Sequence, residues 1–295
     1  MLNAIRRAAQ AVIPTPLRHG IRGLWGTFRS ATGNLRMMPD FIIIGAQRSG
    51  TTTLFNHLTE HPEIADGWRK DTQFFTYHFD KGLRWYRGNY PLRITRRVVT
   101  TLRQRPYLTG EGTGYYLFHP GVPQRVFDAL PQVKLIAMLR NPVTRAISHY
   151  HHEVRLGNED LPIDQAMDAE PERLKKELEK VNADPAYYSH HHHHHTYLMR
   201  GLYLDHIKAW RAYYPAEQMF IFRSEELFAE PERVFPKILT FLGVSPSWAP
   251  REFRQYNIGG YAQTDEALVR RLHAYFEPHN RRLYDYLGVQ WDWDD

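Results

Sequence analysis

The most constraining stretch of the chain is FIIIGAQRSGTTTL, residues 41–54. A short apolar run ending in glycine predicts a buried strand over 41–45. The residues after the second glycine predict a helix over 51–61, which Pro62 closes. Between them, Gly45 to Gly50 must turn sharply, and glycine permits this at little steric cost. Successive backbone N–H groups in such a turn point at one spot, at the positive end of the following helix, so the segment is suited to cradle an anion. Gln47, Arg48, Ser49, Gly50, Thr51 and Thr52 are expected to line it, with Arg48 as the cation and the threonines as hydroxyl donors.

The two glycines keep the spacing of the nucleoside-triphosphatase pattern G-x-x-x-x-G-K-[ST], but Thr51 stands where that pattern has lysine. The apolar run VKLIAML (133–139) likewise runs into Arg140, where a magnesium-holding aspartate would be needed. This P-loop-like site therefore suits a nucleotide without a metal-bridged γ-phosphate, and no metal is expected.

Strand and helix patterns alternate along the rest of the chain. Helices are predicted over 82–90 and 122–129, and strands over 106–111, 133–139 and 218–223. Asn141 caps and Pro142 opens a helix running to about 156, stopped by Gly157. Further helices are expected near 162–181, 196–214, 231–242 and 264–287. Tyr203 and Trp210, seven apart, share one core-facing side. Strands separated by helices predict an α/β fold: a doubly wound, mainly parallel sheet flanked by helices, with its ligand crevice at the carboxyl ends of the strands. No repeat or linker divides residues 39–295, so they are expected to form a single domain.

The net charge of +6 raises the possibility of a nucleic-acid partner. Its distribution argues against one. Residues 1–39 carry six arginines (Arg6, Arg7, Arg18, Arg22, Arg29, Arg36) and no acid; removing those six from the 38 basic residues leaves as many bases as the 32 acids. The surplus therefore lies on a basic N-terminal arm, residues 1–38. That arm is either a loosely attached tail or a peripheral contact to a membrane or partner, with Ile5, Val12, Ile13, Leu24, Trp25 and Phe28 as apolar anchors. No apolar run is long enough to span a bilayer, and no uninterrupted signal core is present, so the expected location is cytoplasmic, with peripheral membrane attachment as the variant. The absence of cysteine rules out disulfides and thiolate metal sites. Six consecutive histidines, His190–His195, read as either a native His-rich loop or an inserted affinity sequence.

Taken together, Arg48-Ser49-Gly50-Thr51-Thr52 and LRNPVTRAISHY (139–150) resemble the two signatures of the sulfotransferases that use 3′-phosphoadenosine 5′-phosphosulfate (PAPS). The resemblance covers 41–293 and implies that the loop grips the 5′-phosphosulfate while Arg140 and Ser148 hold the 3′-phosphate. It also implies that Ile258, Gly259, Gly260 and Tyr261 fold over that phosphate and the adenine. RKDTQFFTYHFDKGLRWY (69–86) is similar to the glycosaminoglycan-modifying branch and its bacterial relatives, which places Asp71 as the base and Gln73 and His78 near the acceptor, with His78 the rival base; GEGTGYYLFHP (110–120) is similar to a strand-and-turn of the family, which implies that Glu111 either touches the acceptor or braces the base. His149, His151 and His152 are further candidates to line the cleft. Where the polysaccharide enzymes often have lysine, this chain has Gly112. The acceptor implied is a hydroxyl or amine, of a carbohydrate or lipid-linked glycan first. The competing readings are a P-loop nucleotide kinase, disfavoured by the missing lysine and aspartate, and a non-enzymatic nucleic-acid binder, disfavoured by the neutral body.

Overall fold

A computed structural model describes residues 25–254 and 264–294. Its centre is a five-stranded sheet: β1 (Phe41–Gly45), β2 (Ile64–Ala65), β3 (Leu108–Gly112), β4 (Lys134–Leu139) and β5 (Met219–Arg223). The strands lie in the order β2-β3-β1-β4-β5, and every pair is parallel. Side chains alternate across a strand, and both faces are buried. Ile42, Ile44, Leu135, Ala137 and Leu139 enter an aromatic-rich layer with Phe74, Phe75, Tyr86, Tyr116, Tyr203, Trp210 and Trp293. Phe41, Ile43, Ile136 and Met138 face the opposite way, into a layer with Leu54, Phe55, Phe235 and Ile238.

The connecting helices are α1 (Thr51–Glu60), α2 (Gly82–Arg87), α3 (Arg93–Arg103), α4 (Val122–Ala129), α5 (Pro142–Leu156), α6 (Ile163–Leu174), α7 (Glu177–Ala183), α8 (His190–His194), α9 (Tyr203–Arg211), α10 (Ser224–Ala229), α11 (Pro231–Leu242) and α12 (Glu266–Leu287). From β1 the chain crosses toward β2, and from the neighbouring β4 it crosses the other way, to β5. The two connections diverge, which opens a crevice outside the carboxyl ends of β1 and β4.

Three expectations change. The helix expected over 162–181 is two, α6 and α7. Of the stretch 196–214, only α9 is α-helical, preceded by a single 3-10 turn at Met199–Gly201. Residues 25–38, part of the arm expected to be either a loose tail or a peripheral contact, pack on the body: Met37 is buried, Arg36 Nη1 donates to Tyr90 O at 2.9 Å, and Arg29 Nε donates to Gly88 O at 2.6 Å. The two-residue β2 and the helix α3 have no counterpart in the sequence reading.

The six histidines are an integral turn of the fold. Ser189 Oγ caps α8 by accepting from His192 N at 3.1 Å, His192 and His195 are buried, and His194 Nδ1 lies 2.8 Å from Glu153 Oε2.

Candidate active site

The anion loop forms at the end of β1 as its residues require. Gly50 takes φ +93°, and a Cβ there would sit 2.5 Å from the Phe228 ring. A Cβ on Gly45 would sit 2.6 Å from Leu117 Cβ. Both positions need glycine, one for its backbone angle and both for space. Arg48 adopts a left-handed φ of 71°, uncommon for a side-chain-bearing residue and a mark of a loop held by its surroundings.

A cleft of about 800 Å³ opens over this loop, lined by Arg48, Ser49, Gly50, Thr51, Thr52, Arg140 and Ser148 among others. The two sequence signatures, about 90 residues apart, meet there. Arg48 Nε donates to Ser148 Oγ at 3.2 Å, and Arg140 Nη1 donates to Arg48 O at 3.1 Å. Arg140 is held from behind, since Tyr203 OH donates to its carbonyl at 2.8 Å and its own Nε donates to Thr144 Oγ1 at 3.0 Å. Asn141 starts α5 as its side chain predicts, accepting from Val143 N at 2.9 Å and Thr144 N at 3.4 Å. Ser49 Oγ is buried without a partner among the described residues, so its contribution to the cleft is backbone. Arg223 and Arg233 also line the cleft, but Glu226 pairs with both, Asp292 with the first and Glu230 with the second.

Beside the loop lies a carboxylate network. Thr113 Oγ1 is placed to donate to Asp71 Oδ1 at 3.1 Å and to Glu111 Oε1 at 3.2 Å, and Gln73 Nε2 donates to Asp71 Oδ2 at 3.3 Å. Glu111 is fully buried, with Tyr90 OH donating at 2.7 Å and Thr72 Oγ1 at 3.0 Å. Of its two expected roles, touching the acceptor or bracing the base, its position fits the second: it is buried and linked to Asp71 through Thr113. His78 stands apart, its Nδ1 3.1 Å from Tyr77 O and its ring edge-on to Trp85. His149 is buried against Glu153 and Tyr197, away from the cleft. Ile258, Gly259, Gly260 and Tyr261 lie outside the described residues.

The residue missed by sequence reasoning is Lys70. Its Nζ donates to Thr52 Oγ1 at 3.1 Å, joining the carboxylate network to the anion loop. Its stem passes over Gly112, where a Cβ would stand 3.1 Å from Lys70 Cε. The signal was its place immediately before the carboxylate in Arg69-Lys70-Asp71. Burial lowers the Lys70 ammonium, against the pull of Asp71 and Glu111. Crowding by protein atoms raises the Asp71 carboxyl, against the Lys70 charge and the Thr113 bond. Asp71 keeps an exposed face, which tempers that rise.

The strand-loop-helix turn thus faces a second arginine-serine pair, with a carboxylate one lysine away. The sulfotransferase domain model matches residues 38–258. The chain belongs to the PAPS-dependent sulfotransferases. It is an enzyme. Among relatives of this sulfotransferase, "Membrane-associated sulfotransferase kil1" of Dictyostelium discoideum is 25% identical, over 89% of this chain and 68% of that protein. Heparan sulfate glucosamine 3-O-sulfotransferase 6 of Mus musculus is 27% identical, over 88% and 75% respectively. A crystal structure of a sulfotransferase from Alicyclobacillus acidocaldarius superposes with a TM-score of 0.66 at 29% identity, covering 88% of this chain and 100% of that one.

Proposed function

We propose that this sulfotransferase moves the sulfonyl group of PAPS onto a carbohydrate hydroxyl, with Asp71 as the base. The observation that carries the reading is the Lys70–Thr52 contact, which sets the Asp71 carboxylate beside the loop that would hold the phosphosulfate. In the transfer, the acceptor oxygen bonds to sulfur as the bond from sulfur to the 5′-phosphate oxygen breaks. The acceptor proton passes to Asp71, and the electron pair of the broken bond stays on the phosphate. Arg48 and the backbone N–H groups of the loop meet that growing charge, where stabilisation acts on the transition state most strongly. Arg140 and Ser148 receive the 3′-phosphate. Thr113 and Gln73 orient Asp71, and the buried Glu111 fixes Thr113.

A carbohydrate acceptor is favoured by the relatives named for heparan sulfate glucosamine. Lys70 supplies a cation beside Gly112, close to where a lysine at 112 would begin. Peripheral membrane contact through the basic N-terminal residues belongs to the same proposal, in line with the name of the Dictyostelium relative.

The test compares nucleotides. 3′-Phosphoadenosine 5′-phosphate should raise the melting temperature well above the rise given by AMP, because each charge-assisted contact to the extra phosphate contributes about 1.5–3 kcal/mol. Labelled PAPS should then transfer its sulfonyl to glucosamine-containing oligosaccharides. Equal melting shifts from the two nucleotides refute the 3′-phosphate site, and transfer to simple phenols alone refutes the carbohydrate acceptor.

A further inference from the structure

Helix α3 is inside out. A helix on the surface of a globular domain turns its apolar stripe to the core and its charges to water. In α3 no residue is buried. Its protein-facing contact is an arginine: Arg96 Nε donates to Tyr107 O at 3.0 Å, and the same guanidinium pairs with Asp40. At 100° per residue, the side opposite Arg96 carries Ile94, Val98 and Leu102, spaced i, i+4, i+8. These three are 59%, 47% and 78% exposed. Single exposed aliphatic residues are ordinary, but an aligned stripe of three on an unpartnered helix marks a contact surface. Leu35, also exposed, adjoins the start of the stripe, where Arg93 binds Asn34 O.

The charge around the stripe names the partner. On and just beyond the helix the chain carries five arginines and no acid, of which Arg96 pairs with Asp40 and Arg105 with Glu63. Arg97 on the flank of the helix and Arg105 just beyond it are exposed; Arg103, seven residues from Arg96, is exposed on the Arg96 side. Arginines beside an apolar stripe fit the boundary of an anionic bilayer, where aliphatic side chains enter the acyl edge and long basic ones reach the headgroups. A second copy of this chain fits poorly, because a twofold contact would set the arginine-rich segment against itself. We infer that α3 docks the protein on an anionic lipid surface through Ile94, Val98 and Leu102. This goes beyond the proposed reaction and stands independently of it.

The experiment is co-sedimentation of the full chain with phosphatidylcholine vesicles, with or without phosphatidylserine. The unmodified protein should bind the phosphatidylserine vesicles and scarcely the neutral ones. I94S/V98S/L102S should weaken that binding on the order of tenfold or more while leaving melting temperature and transfer to a soluble acceptor unchanged. R97E, which leaves the stripe intact, should also weaken it and reduce its dependence on salt. Should the triple-serine change affect folding, L102S alone, at the most exposed position, is read in its place. Serine variants that bind as tightly as the unmodified chain assign the contact to another segment and overturn the inference. So does an unmodified chain that ignores both vesicles, or one that light scattering shows to be a dimer which the serine changes disperse.

Discussion

Asp71 and Lys70 form a pair whose two members carry different predictions. Asp71→Asn should retain fold and nucleotide affinity and lower kcat by on the order of 10²–10⁴, the usual contribution of a placed proton acceptor. His78→Ala, outside the Thr113–Gln73 network, should leave kcat nearly unchanged. A dead His78→Ala beside an active Asp71→Asn would move the base to His78. Lys70 acts through charge. Its ammonium holds down an Asp71 carboxyl that crowding raises, so Lys70→Met should raise that carboxyl further. A base must be ionised, so activity is lost as pH falls through its pKa. The acid limb of the kcat profile should therefore move to higher pH in Lys70→Met and stay in place in Lys70→Arg. An unmoved limb in both separates Lys70 from the base.

At the scale of elements, the turn from β4 into α5 links stability to the site. Asn141 accepts from two helix N–H groups, and its Nδ2 donates to Trp293 O at 3.0 Å, tying the C-terminal segment to the residue after Arg140. Asn141→Ala should cost about 1–2 kcal/mol, a melting loss of a few degrees, with a raised KM for PAPS; Asn141→Asp, which keeps the cap, should recover most of the stability. An unchanged melting temperature in the alanine variant would show that the cap carries no weight. This turn was legible in the sequence because a cap, a proline at the first helical position and a stop glycine are local signals. Helix α3 was not, because hydrophobic patterning finds helices by the side they turn to the core, and α3 turns an arginine there. The loop and Arg140 were readable for the same local reason as the cap. Lys70 became visible only when the sheet brought residues 52, 70 and 112 together.

For the whole molecule, the chief liability is acid. Burial pushes the His119 imidazole down to about 4 and that of His192 to about 2. Both are packed neutral: Gly121 N donates to His119 Nδ1 at 3.3 Å, and His192 Nδ1 lies 2.6 Å from Tyr115 OH. Free imidazoles titrate near 6.5, so below that pH the unfolded chain binds more protons. Each such group then removes about 1.4 kcal/mol of stability per pH unit until its folded pKa is reached. Glu170 works in the opposite direction: burial raises its carboxyl to about 7, so acid favours the fold at that residue and offsets one histidine. The melting temperature should still fall steeply between about pH 6.5 and pH 4, and His119→Gln should flatten part of that slope. A flat profile would mean that these rings are not held neutral.

For the proposed reaction, the Arg96 clamp has a consequence for which acceptors the enzyme can reach. Arg96 grips Asp40 and Tyr107, the residues just ahead of β1 and β3, so α3 sits at the end of the sheet opposite the cleft. Five residues of β1 span about 16 Å, and the stripe lies on the far side of α3, so the anion loop stands more than that distance from it. An enzyme resting on α3 would hold its reacting atoms at that height with the cleft opening away from the bilayer. A short headgroup sugar in the same leaflet would lie beneath the body and out of reach, whereas a long polymer rising from its anchor would pass the cleft at the right level. Acceptor choice would then be partly a matter of stature, with the membrane setting a minimum length that no residue of the active site encodes.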